Sequence, residues 1–301
     1  MKRYKKIIIP LGLGNTDTNT IAWASKISHL ARSEEALFVH AVEVQDIPAQ
    51  TKEKYPWLLQ PLDETLMERM KEQVAEAWQG HADTAVSFKL IHNTSDVLAI
   101  LSMIVEQDSD LVIIGRESFR RDMAIRLTRK APCSVMVIPT DANVSLNKIL
   151  APTDFSTHCR NALDVAVAFA EAANIPHIDS LHVYNLGPQS HKATLPKNEL
   201  KRMANSYYRE RHSSYLENLD SKSIDVISHE AYHSLTAAGI CNTAEELDVD
   251  LIVAGCRGRG TVAALLIGSN AEQLLQQSTV PIIAAKIKGS GQKLLDALLQ
   301  G

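Results

Sequence analysis

The chain has 301 residues, with 31 Lys and Arg against 35 Asp and Glu, 45% apolar residues and a net charge of −4. That is the balance of a globular protein with a proper core, long enough for about two ordinary domains. It excludes nucleic acid as the main partner, since there is no basic stripe, and a membrane span, since no segment approaches the roughly 20 apolar residues one needs.

The opening MKRYKKIIIP begins like a signal peptide, but its apolar run stops at Pro10. It reads instead as a surface strand with lysines at its start. Further strands are expected near 36–43, 85–91, 111–115 and 134–139, then near 148–152, 178–184, 223–229, 250–255 and 280–287. The runs IIIP, LVIIG and LIVAG are continuously apolar, as in strands buried on both faces. Helical periods lie between the strands. Ala162, Val165, Ala166, Phe169 and Ala170 form one such stripe, with Ser156 as its N-cap.

The second set of strands repeats the first. KKIIIPLGLG matches NKILAPTDFS, with Pro10 and Pro152 142 residues apart, and His40 and His182 keep the same offset. DLVIIG at 110–115 and DLIVAG at 250–255 are 140 apart, whereas Pro132 and Pro281 are 149 apart. The chain is therefore a domain-sized duplication. Its second copy carries nine additional residues just after the strand DLIVAG. We expect two tandem doubly wound α/β domains, each an open five-stranded, mainly parallel sheet with helices on both faces, packed as a pseudo-dimer. The expected boundaries are 1–142, 143–288 and a tail helix at 289–301.

The insertion follows the carboxyl end of a parallel strand, where open α/β sheets place ligands. It runs Gly255-Cys256-Arg257-Gly258-Arg259-Gly260 and, further on, Gly268-Ser269-Asn270. Glycines allow close backbone approach and positive φ. The helix after Gly268-Ser269 offers free N–H groups to phosphate, and Arg257 and Arg259 add charge. A Gly-rich surface turn with a capping serine is the alternative.

Gly255, Gly258, Gly268 and Ser269 keep the spacing Gly, two residues, Gly, nine residues, Gly-Ser. In this and in strand order the chain resembles the universal stress protein family, in a tandem form. The resemblance implies ATP binding in the second copy, with Mg²⁺ sharing the phosphate charge. Pro152, Thr153 and Asp154 take the nucleoside side, and the Val183 backbone meets adenine. Ala254 and Gly255 line the ribose, while Gly258, Gly268, Ser269 and Asn270 hold the phosphates. For Asp154, helix capping ahead of Ser156 is the competing role. In the first copy Gly12 stands where Asp154 would be, Gly115 leads into Arg116-Glu117-Ser118, and the nine residues are missing. A second ATP site is not expected there.

Other strings are weaker. His229-Glu230-Ala231-Tyr232-His233 spells HExxH, but His229 is expected to end a strand and the helix to begin at about His233, so the two histidines do not share a helix face. His40 and His182 read as satisfied core or interface histidines. PLGLGN lacks the third glycine of a dinucleotide fingerprint, with Asp17 in its place. No Ser-His-Asp set declares itself. The four cysteines (Cys133, Cys159, Cys241, Cys256) form no CxxC pair, which fits a reducing cytoplasm.

The resulting expectation is an ATP-binding stress-response regulator or sensor, with at most a weak ATPase or self-phosphorylating activity, since no general base is positioned. The rival is a non-catalytic scaffold binding a protein or apolar ligand through Tyr55, Pro56, Trp57, Leu58, Leu59 and Trp78. Pairing into a homodimer and an unknown protein partner remain open.

Overall fold

The computed structural model describes residues 3–43, 54, 62–93, 95–119, 122–187, 195–217, 219–221, 224–256 and 267–289. The chain divides into two compact units between Thr140 and Asp141. In the first unit the elements are β1 (Lys6–Pro10), α1 (Asp17–Ala31), β2 (Glu35–Glu43), α2 (Leu62–Ala77), β3 (Ala85–Asn93), α3 (Asp96–Glu106), β4 (Leu111–Gly115), α4 (Met123–Lys130) and β5 (Ser134–Ile138). In the second they are β6 (Ile149–Pro152), α5 (Thr157–Ala173), β7 (His177–Tyr184), α6 (Lys197–Leu216), β8 (Asp225–Tyr232), α7 (Thr236–Glu246), β9 (Leu251–Gly255), α8 (Ser269–Gln277) and β10 (Ile282–Ala285). The tail 290–301, expected as a helix, lies outside the described residues.

Within the first unit the strand order is β3-β2-β1-β4-β5, and within the second β8-β7-β6-β9-β10. Each neighbouring pair within a unit is parallel. Each βαβ step therefore needs a crossover helix, and the direction of winding reverses between β1 and β4, and between β6 and β9. In the first unit α1 packs against α2 and α3 against α4, and in the second α7 packs against α8 while α5 covers β6 and β9. The central strands have apolar side chains on both faces. Ile7, Ile8 and Ile9 are buried, as are Leu111 to Ile114 and Leu251 to Val253. This corrects one expectation: β1 is an innermost strand, flanked by β2 and β4, with Lys6 at its first position and the other lysines before it. The α5 stripe Ala162, Val165, Ala166, Phe169 and Ala170 is buried, and Ser156 caps the helix by accepting the Cys159 N–H at 3.3 Å.

The duplication extends to backbone details that composition does not reveal. Non-glycine residues with left-handed φ recur in register: Leu13 and Phe155 (φ 58° and 65°), Arg32 and Asn174 (φ 49° and 56°), Asp108 and Asp248 (φ 48° and 55°). His40 Nδ1 lies 2.8 Å from the Leu11 carbonyl, and His182 Nδ1 lies 2.8 Å from the Thr153 carbonyl. Asp110 accepts the Lys6 N–H at 2.9 Å, and Asp250 accepts the Lys148 N–H at 3.1 Å. Both histidines are half-buried, less enclosed than a core role implies.

Candidate functional site

In the second unit, the carboxyl ends of β6, β7 and β9 and the start of α8 surround a cavity of about 480 Å³. It sits at the reversal between β6 and β9, where the outgoing loops diverge and leave a crevice. Of the eleven positions expected to bind, Pro152, Thr153, Asp154, Val183, Ala254, Gly255, Gly268, Ser269 and Asn270 line it. Arg257 and Gly258 lie outside the described residues. Cys159, Leu181, His182, Thr236, Ile240, Cys256, Ala271 and Leu274 also line it, and the sequence alone singled out none of these as ligand contacts. Only His182 carried a signal, through its pairing with His40.

Local packing explains the shape. The Gly268 N–H donates to the Cys256 carbonyl at 2.9 Å, which pins the start of α8 to the end of β9. A helix start so placed aims unpaired N–H groups toward the crevice. Gly268 itself has φ −65° and ψ 144°, so it needs no positive φ, and its value is close backbone approach. At Gly255 a Cβ would stand 3.0 Å from the His158 carbonyl carbon and 3.1 Å from the Cys159 nitrogen. That glycine lets β9 end directly against the first turn of α5. At Gly239 of α7 a Cβ would stand 2.8 Å from Val183 Cγ1, so this glycine lets α7 close down beside β7.

Asp154 faces the cavity and also shapes the turn ahead of α5, for its Oδ1 accepts the Ser156 N–H at 2.9 Å, while the helix cap itself is Ser156. Burial, reinforced by the Asp154 charge, pushes the Cys159 thiol up to about 11. It is a packing residue, not a nucleophile. Phe155 has left-handed φ, and its ring lies 4.4 Å from that of His182 and 5.5 Å from those of His212 and Tyr215. Strain beside a cavity often marks function. Here Leu13 repeats it at the equivalent turn of the first unit, so the strain belongs to the shared scaffold turn.

Below this aromatic layer, Ser180 Oγ lies 2.8 Å from His212 Nε2, and His212 Nδ1 lies 3.0 Å from Glu230 Oε1. Three residues on β7, α6 and β8 thus reproduce the connectivity of a Ser-His-acid relay. No sequence spacing announces it. Ser180 and His212 are wholly buried, so no substrate reaches the hydroxyl. The set acts as a clasp between α6 and the sheet.

In the first unit the matching place is filled from within. A Cβ on Gly12 would lie 1.9 Å from the Ser118 carbonyl oxygen, and one on Gly115 would lie 2.1 Å from Ser118 Oγ. The short loop after β4 therefore folds back over the end of β1. Asp17, at the missing third glycine, is fully buried and accepts the Gly14 N–H at 3.2 Å. Burial raises its carboxyl pKa, against opposing hydrogen bonds from Ser118 and Gly14.

The HExxH string lies on β8, which continues to Tyr232, and α7 begins at Thr236. The strand runs three residues further than expected because β7 pairs with it to the end, Val183 with Ala231 and Tyr184 with Tyr232. His229 Nε2 is 2.7 Å from Asp179, and His233 Nδ1 meets the Leu235 backbone. No metal-holding group of three or more His, Cys, Asp or Glu occurs among the described residues. Trp78 packs edge-on against Phe38 at 5.3 Å, with Gly80 leaving room for its ring. Tyr55 to Leu59 lie outside the described residues. No helix among those described is long and apolar enough to cross a membrane.

Known proteins match this architecture. The universal stress protein family matches the chain twice, at residues 3–139 and 145–286. A universal stress protein of Mycobacterium tuberculosis is 39% identical over 59 residues, a segment covering 20% of this chain and 20% of that protein. A universal stress protein from Archaeoglobus fulgidus shares the fold across 95% of this chain and 97% of its own, with a TM-score of 0.58 and 14% identity. A universal stress protein in complex with cAMP aligns with 46% of this chain and 99% of its own, with a TM-score of 0.35 and 12% identity. With two successive matches that together span nearly its full length, the chain belongs to the universal stress protein family.

Proposed function

We propose that the second unit binds an adenine nucleotide, ATP foremost, and that occupancy makes the protein a cytoplasmic regulator or sensor in a stress response. One observation carries this reading. Nine residues chosen for nucleotide contact, drawn from four separate segments, line a single cavity of about 480 Å³, a size within the range of small-ligand sites. Val183, Ile240 and Leu274 give it apolar lining for a base, while Asp154, Ser269 and Asn270 add polar groups. The start of α8 suits phosphate oxygens.

Mg²⁺ fits as a companion of the nucleotide. Asp154, Ser269 and Asn270 are oxygen donors, the ligand chemistry that Mg²⁺ takes. They are too few for a cage of protein groups, so phosphate oxygens and water would complete the shell. The cation, when bound, offsets phosphate charge.

Calorimetric titration of ATP with Mg²⁺ into the nucleotide-free protein tests the reading. We expect a single site per chain, with binding lost in a Gly258→Val, Gly268→Val variant whose circular dichroism is unchanged. If the wild-type protein takes up no nucleotide, the sensor reading fails and a scaffold role replaces it.

A further inference from the structure

The helices α2 and α6 occupy equivalent places in the two units, each joining the second strand of its copy to the third, yet their charges are opposite. Helix α2 carries Asp63, Glu64, Glu68, Glu72 and Glu76 against Arg69 and Lys71. Helix α6 carries Lys197, Lys201, Arg202, Arg209 and Arg211 against Glu199 and Glu210. In a chain of net charge −4, α6 is a local positive surface.

Helix α6 is also poorly covered. Of its 20 residues, His212 is the buried one. Met203 and Tyr207, four residues apart, are 59% and 57% exposed with the rest of the chain in place. Arg202, Ser206 and Arg209 stand beside them, also exposed, and line a cleft of about 370 Å³ with Lys201, Asn205 and Tyr184. Arg202 has no ion pair among the described residues. Among the described residues Arg209 has one ion pair, with Glu230 at 3.9 Å, and Glu230 is already held by His212.

On the solvent side of α2, Glu64, Glu68, Glu72 and Glu76 form a row four residues apart, all exposed, with Arg69 and Lys71 exposed beside it. None of them carries an ion pair among the described residues. Like charges at that spacing repel along the helix, Arg69 and Lys71 offset only part of that repulsion, and a cationic partner relieves the rest. The geometry is compatible. Arg202 and Arg209 are about 10 Å apart along their axis, and alternate glutamates of the row are about 12 Å apart.

We propose that α6 of one chain docks on α2 of a second copy. Arg202 and Arg209 meet the glutamate row, and Met203 and Tyr207 are covered beside it. The contact joins unlike surfaces, α6 of one copy and α2 of the next. It does not depend on nucleotide binding in the cavity.

Sedimentation velocity of the full chain over a range of concentrations tests this. The chain should associate at about 20 mM salt and dissociate at about 0.5 M, where screening acts within about 4 Å. Arg202→Glu with Arg209→Gln on α6, or Glu68→Lys with Glu72→Lys on α2, should each weaken association by about tenfold or more. Mixing the two variants should restore pairing, because each keeps the half that the other lost. Circular dichroism of each variant checks its fold. A wild-type chain that stays monomeric at low salt overturns the proposal, even if α6 then captures an acidic peptide or RNA. Association that survives both charge changes, or variants that fail to pair on mixing, overturns it too.

Discussion

Asp154 has two roles that one substitution separates. Its Oδ1 accepts the Ser156 N–H ahead of α5, and it lines the cavity. Asparagine keeps the acceptor and removes the charge. In Asp154→Asn we expect unfolding stability within about 0.5 kcal/mol of wild type and nucleotide affinity lowered about tenfold. Unchanged affinity in a calorimetric titration would leave Asp154 as a turn residue alone. His212 makes a different argument. Burial holds its pKa below the usual histidine value, outweighing the opposing pull of Glu230. The folded state therefore favours the neutral ring. Its contribution is complete above about pH 6.5 and is lost as pH falls through that value and through the lower folded pKa. Urea midpoints of the wild type should drop between about pH 7 and pH 5, and His212→Gln should flatten that drop. His212→Ala removes the buried contacts to Ser180 and Glu230 and should cost about 1–3 kcal/mol at neutral pH.

The two loops that follow β4 and β9 show how one scaffold yields a filled end and an open one. After β9 the chain travels through the inserted residues and returns at Gly268, whose N–H bonds the Cys256 carbonyl. After β4 the loop is shorter, and Ser118 lies over Gly12. Gly12 is thus the counterpart of Asp154 because a side chain there would collide with the Ser118 carbonyl. Gly12→Ala should destabilise the first unit by about 1–3 kcal/mol, read from its denaturant midpoint. A neutral result would mean that the loop yields easily. Helix α6 differs from α2 in the same spirit. Met70 and Val74 bury one side of α2, whereas α6 relies on the His212 clasp.

Across the chain, duplication preserved the backbone while the two copies diverged in chemistry. The left-handed residues, the paired histidines and the Asp110 and Asp250 contacts all survive in both units. What changed is the carboxyl edge, which is plugged in one unit and hollow in the other, and the charge of the helix after the second strand. The proposed single nucleotide site per chain and the proposed contact between α6 and α2 of two copies would be separate consequences of that divergence. Each is read by its own measurement, binding heat for one and sedimentation for the other.

The repeat, the alternation of strands and helices along the chain and the place of the nine-residue insertion were legible in the sequence. Apolar runs such as IIIP and LIVAG mark strands buried on both faces, and matching anchors expose a duplication by simple offset. The candidate ligand residues were legible through the glycine spacing and the family resemblance. Tertiary structure decided what depends on contacts between distant segments. It showed β1 to be central because pairing with β2 and β4 encloses it. It carried HExxH along a strand because β7 supplies the ladder. Cys159, Thr236, Ile240 and Leu274 joined the cavity wall, and Ser180, His212 and Glu230 met beneath it. None of these follows from local pattern, because sequence periodicity reports which face of an element is apolar, whereas a cavity or a clasp is set by which elements the sheet brings side by side.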